Sequence, residues 1–123
     1  MNGLVENWWK QAQRDFQSAK NSFDSKDYYA SAFWSHQSIE KGLKSLRIKK
    51  LNDLPKIHNL VKLARGLNAP EEIIKKCARV NPVYTEVRYP EGKTLPADKI
   101  NKVEAEQILL IVKEVLEWIE KSL

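Results

Sequence analysis

The sequence predicts an all-α protein: an antiparallel up-and-down bundle of four long helical segments plus one short helix, forming a single domain over residues 1–123. Three observations carry this expectation. Apolar residues recur at steps of three and four along most of the chain, the period of a helix face. Residues suited to capping or stopping helices punctuate those stretches, and no strand alternation, internal repeat or low-complexity tract interrupts them. The chain is also long enough for one compact domain that buries roughly two thirds of its unfolded surface.

The first helix is expected over about Leu4 to Phe23, with Leu4, Trp8, Ala12, Phe16, Ala19 and Phe23 on one stripe and Trp9 at its edge. It stops at Asp24-Ser25-Lys26-Asp27, where Ser25 or Asp27 can cap the next helix by accepting from free backbone N–H groups. The second helix, about Tyr28 to Ile48, carries Tyr29, Ala32, Phe33, His36, Ile39, Leu43 and Leu46 on one face. That near-heptad repeat is the pattern of antiparallel bundle packing. Asn52 to Asn59 reads as a connection, and a short third helix follows over about Ile57 to Leu67.

Pro70, placed in a first turn, opens the fourth helix, with Glu71 and Glu72 at its positive end. Asn81-Pro82 kinks or restarts that helix because Pro82 has no N–H to donate. The following turn carries Tyr84 and Arg88, and Pro90, Gly92 and Pro96 then mark a loop. The last helix begins near Asp98 or Asn101 and runs to Ser122. Asn101 and Glu104 have capping-box spacing, and Ile100, Val103, Leu110, Ile111, Val115, Trp118 and Ile119 form the buried stripe.

Composition excludes several classes of function. The four glycines do not cluster, so no glycine-rich phosphate loop or dinucleotide fingerprint can form, and hydrolase nucleophile signatures are missing. Cys77 is the single cysteine and no motif activates it, which points to a structural thiol, a reducing cytoplasmic setting and no zinc site. No stretch approaches the roughly 20 apolar residues that span a bilayer. The formal charge is +5, and residues 41–79 hold eleven basic side chains against three acidic ones. Such a region attracts phosphate-bearing partners; a solvated lysine-rich surface is the alternative.

Helix two is the most informative element for chemistry. Gln37, Glu40, Lys41 and Lys44 fall within an arc of roughly 100° beside the apolar stripe. Glu40 shares the angle of Phe33, so it is partly buried and needs a cationic partner, either Lys44 one turn on or a residue from another helix. The group then reads either as a network fixing helix register or as donors presented to a phosphate or base. His36 on the apolar face and His58 near the third helix read as hydrogen-bonded structural residues, and neither forms a metal motif. Trp8 and Trp118 belong to core stripes; Trp34 points away and is a candidate subunit contact.

Several stretches, taken in order, resemble one family. Trp9-Lys10-Gln11-Ala12-Gln13-Arg14-Asp15-Phe16 looks like its opening pattern. Phe33 followed by Gln37-Ser38-Ile39-Glu40-Lys41-Gly42-Leu43-Lys44 is similar to its strongest motif. Lys56-Ile57-His58-Asn59-Leu60 resembles its histidine turn, and Tyr84 through Pro90 matches a tyrosine followed by Arg-Tyr-Pro. These are marks of the HEPN domains, helical proposed nucleotide-binding domains similar to the helical domain of kanamycin-type nucleotidyltransferases.

The resemblance implies a self-associating bundle, a homodimer, that pairs with a separate small nucleotidyltransferase and needs no cofactor. Its nucleotide- or phosphate-binding residues would be Gln37, Lys41, Lys44, Tyr84 and Arg88, with Glu40, His36 and His58 as a structural polar network. Some relatives are ribonuclease toxins carrying Arg, four to six residues, then His. After Arg88 those positions hold Lys93, Thr94 and Leu95. An arginine without that histidine supplies charge stabilisation but no proton transfer, so the expectation is binding without catalysis. The alternatives are a ribonuclease that recruits His36 or His58 through folding, acting on RNA, and a purely structural dimerisation module.

Overall fold

The computed structural model describes residues 2–123. They form α1 (Gly3–Asp24), α2 (Tyr28–Leu51), α3 (Leu60–Gly66), α4 (Glu71–Val80), a one-turn α5 (Val83–Glu86) and α6 (Lys102–Ser122), with a 3₁₀ turn at Pro96–Asp98 before α6. Helices α1, α2, α4 and α6 are the four long segments, and α3 is the short one. No strand occurs among the described residues.

Side-chain caps set several of the boundaries. Asn2 accepts from the Val5 N–H at 2.8 Å, Asn59 from Lys62 at 3.1 Å and Asn101 from Glu104 at 2.8 Å, each satisfying an otherwise orphan donor. Asn59 explains why α3 starts at Leu60, three residues later than its apolar spacing suggests. Asp27 occupies the N-cap position of α2 but makes no side-chain capping bond. Pro70 stands just outside α4, whose first residue is Glu71. Asn52, in the left-handed region at φ 50°, turns the chain sharply out of α2.

Helix α2 lies at the centre, with α1 along one side, α6 along another and α3, α4 and α5 around the remainder. It is therefore buried on nearly all sides, not on one face: Ser31, Ser35, Ser38, Gly42 and Ser45 are as enclosed as Ile39, Leu43 and Leu46. The small residues let the neighbours approach closely. Ser31 donates to the Ala19 carbonyl at 2.8 Å and Ser38 to that of Ala12 at 2.7 Å, so two hydroxyls pin α1 at a fixed rotation. At Gly42 an added Cβ would lie 2.9 Å from Ile119 Cδ1 and 3.2 Å from Leu116 Cδ2.

That pinning rotates α1 from its expected orientation. Val5, Trp9, Ala12, Asp15 and Ala19 are buried, while Leu4 is exposed and Trp8, Phe16 and Phe23 lie half-buried at the margin. On α6 the buried set is Ala105, Ile108, Ile111, Val112, Val115, Leu116 and Ile119. Val103 and Leu110 were expected inside but stand exposed, because each lies about 180° round the helix from Val112. Trp118 is half-buried. No described helix is long and apolar enough to cross a membrane.

Candidate functional site

One face of α2 presents Phe33, His36, Glu40 and Lys44 at successive helical turns, and the connection before α3 and helix α5 cover it. The cover is held by Asn81. Its side-chain oxygen accepts from the Leu60 N–H at 2.9 Å, and its amide donates to Asn59 at 3.4 Å, tying the start of α3 to the end of α4. Pro82 then prevents α4 from continuing, and the restarted turn of α5 brings Tyr84 against His58. Their rings stack with centroids 4.6 Å apart and planes 12° apart.

Glu40 is the buried hub. Lys44 donates to it at 3.0 Å, and His58 Nδ1 lies 3.1 Å from both carboxylate oxygens. His36 Nδ1 is 3.9 Å away, beyond a hydrogen bond. A carboxylate this enclosed persists because an ammonium and an imidazole replace its water. Bonding at Nδ1 also fixes the orientation of the His58 ring, whose side chain is about half exposed.

Arg88 is exposed and has no carboxylate partner among the described residues. Its guanidinium carbon sits 4.6 Å from the centre of the Tyr84 ring and 5.9 Å from those of Phe33 and Tyr89. Three aromatic rings thus hold the cation without neutralising it. His36 lies beneath, its ring 5.4 Å from that of Tyr84, fully buried and with neither nitrogen hydrogen-bonded. Burial pushes its pKa down to about 4; Glu40 opposes this, while His58 and Arg88 reinforce it. The imidazole is therefore neutral at pH 7.

Of the residues singled out from sequence, Tyr84, Arg88, His58, His36, Glu40 and Lys44 come together. Lys44 is enclosed by its pairing with Glu40 and lies near the Trp8 ring. Lys41 points elsewhere, into an ion pair with Asp15 of α1, and Gln37 is half-buried one turn before it. Asp15 is almost completely buried and also accepts from Gln11 at 2.8 Å. Neither Asp15 nor Asn81 was picked out from sequence. Asp15 had a signal, its place between Ala12 and Ala19 on a helix stripe; Asn81 read only as a helix stop. The thiol of Cys77 is buried, and its pKa is pushed up to about 12. No described group of three or more His, Cys, Asp or Glu is placed to hold a metal ion, and at Glu40 the Lys44 ammonium already supplies the countercharge.

The chain resembles known proteins along nearly its whole length. A family model described as the HEPN domain matches residues 5–122. No curated protein matches the chain. Among solved structures, TT1696 from Thermus thermophilus superposes with a TM-score of 0.92 at 23% identity, covering 99% of this chain and 100% of its own. A second, ST0689, described as an archaeal HEPN homologue, gives a TM-score of 0.83 at 26% identity and covers 98% of each chain.

Proposed function

The chain belongs to the HEPN domain family, and from that premise we propose that it binds a phosphate-bearing ligand, a nucleotide, without chemically altering it. The observation that carries this reading is Arg88: an exposed guanidinium, held by aromatic rings and lacking a carboxylate, beside a half-exposed imidazole. Such a fork suits the oxygens of a phosphate. Tyr84 orients the arginine and Lys44 neutralises Glu40 beneath it, whereas Lys41, paired with Asp15, and the half-buried Gln37 lie off this face and are not assigned to the ligand. In this reading the protein also self-associates and serves as partner to a separate small nucleotidyltransferase. The exposed Val103 and Leu110 on α6 are apolar surface on which association can draw.

Calorimetric titration with ATP tests the ligand. Binding is expected for the wild type, with Arg88→Gln weakening it about ten-fold or more. Equal binding by the variant, or none by the wild type, overturns the reading. Light scattering on the purified chain tests self-association, and a monomer at all concentrations removes it.

A second reading is favoured by one observation. Folding brings His58 and Arg88 against the same Tyr84 ring although the sequence lacks the arginine–histidine spacing. With Nδ1 held by Glu40, the Nε2 atom of His58 is free to move a proton while Arg88 stabilises charge on phosphorus, as RNA cleavage requires. Cleavage of an RNA by the wild type, lost in both His58→Gln and Arg88→Gln, would establish this; intact RNA with the wild type removes it.

A further inference from the structure

Beside Arg88, on the side of the first turn of α2, lies an open pocket of about 330 Å³. Tyr29, Val87, Leu95, Pro96 and Ala97 line it together with the arginine. It forms where the chain leaving α5 and the 3₁₀ turn at Pro96–Asp98 meet α2. Val87 is buried and fixes the floor, whereas Leu95 and Ala97 stand exposed at the rim. Arg88 is the one charged residue of the lining, so no carboxylate repels an anion. Apart from the phenol of Tyr29, the remaining side chains offer no hydrogen-bonding group.

This division of chemistry has a consequence for the ligand. A bare phosphate would satisfy the guanidinium but leave the apolar walls wet, and sugar hydroxyls would lose water hydrogen bonds against them without replacement. A ring gains there, because proline and tyrosine faces accept a flat apolar surface. The volume is at the small end of ligand pockets, enough for a single ring system rather than a long chain. We infer that the ligand meeting Arg88 is a phosphate monoester carrying a ring, and that the ring seats against Tyr29, Leu95 and Pro96. This rests on the anion-binding reading above and adds the part of the ligand that the arginine does not see.

Calorimetry with four probes tests it: AMP, phenyl phosphate, ribose 5-phosphate and inorganic phosphate. The two ring-bearing probes, or AMP alone, are expected to bind about ten-fold or more tightly than the ringless pair. Preference for AMP alone identifies a nucleobase; equal preference for phenyl phosphate identifies any flat ring. Leu95→Asn and Ala97→Trp, both at exposed positions, are expected to abolish the preference while leaving ribose 5-phosphate binding unchanged. Equal affinity of all four probes for the wild type overturns the pocket and leaves the anion site standing, as does a preference untouched by both variants. Failure of every probe while ATP still binds overturns the pocket alone; failure of ATP as well, or binding indifferent to Arg88→Gln, removes the anion site and the pocket with it.

Discussion

Glu40 determines whether the covered face of α2 is a stable polar cluster or a buried fault. Its carboxylate is enclosed with the Lys44 ammonium at 3.0 Å. Removing the acid leaves that ammonium stranded, so Glu40→Ala is expected to cost about 3–5 kcal/mol in urea unfolding, and a loss below ~1 kcal/mol would show the pair to be solvated. Replacing both members, Glu40→Leu with Lys44→Met, is expected to recover most of the loss because no charge is left without a partner. His36 makes a separate prediction about pH. Its folded pKa is about 4 against an ordinary value of 6.5. Between those values the unfolded chain binds the extra proton, so stability rises with pH through the window. The contribution is fully present above pH 6.5 and is lost as pH falls towards 4, an effect on the order of 3 kcal/mol. Glu40, His58, Arg88 and Tyr84 are the groups that surround it. Unfolding curves measured across that window are expected to show the slope in the wild type and a flatter one in His36→Phe; parallel curves would mean His36 does not titrate on unfolding.

At the scale of the element, α2 is a central helix built from small and polar residues. At Gly42 α6 approaches closely, since a Cβ there would meet Ile119 and Leu116. Two effects compete for Gly42→Ala. The helix gains about 1 kcal/mol in propensity, and the methyl displaces the flexible tip of Ile119, so a change near zero is expected. Gly42→Leu cannot be absorbed that way and is expected to destabilise by about 1–3 kcal/mol through overpacking; an unchanged melting temperature would show that α6 packs more loosely than the distances indicate. The helical segments were legible from sequence because caps and prolines act locally: Asn101, Asn52 and Pro82 do their work within a few residues. The rotation of each helix was less legible. α1 carries apolar residues over a wide arc, and the hydroxyls of Ser31 and Ser38, twelve and 26 residues away from their acceptors, select which part faces inward.

At the scale of the molecule, the charge of +5 is concentrated in the segment that includes the end of α2 and α3. Lys49, Lys50, Lys56 and Lys62 are exposed there and have no ion-pair partner among the described residues. A phosphate ligand is therefore expected to bind more weakly as salt is raised, with on-rates falling more than off-rates rise. Stopped-flow measurement at two ionic strengths checks this, and salt-independent binding would place the ligand away from Arg88 and the basic region. The sequence by itself determined the all-helical bundle, most helix ends and the family, because periodicity, capping and motif order are properties of neighbouring residues. It also marked Glu40 as an acid in need of a cation, since a carboxylate cannot be buried alone. Only the tertiary structure decided which cation each acid took: Lys44 for Glu40, and Lys41 for Asp15 across the α1–α2 contact. It alone turned Arg88 outward onto Tyr84 and set His58 against the same ring. The placement of His58 and Tyr84 depends on where Asn81 fastens the start of α3 to the end of α4, a contact over 21 residues of chain that no local pattern encodes.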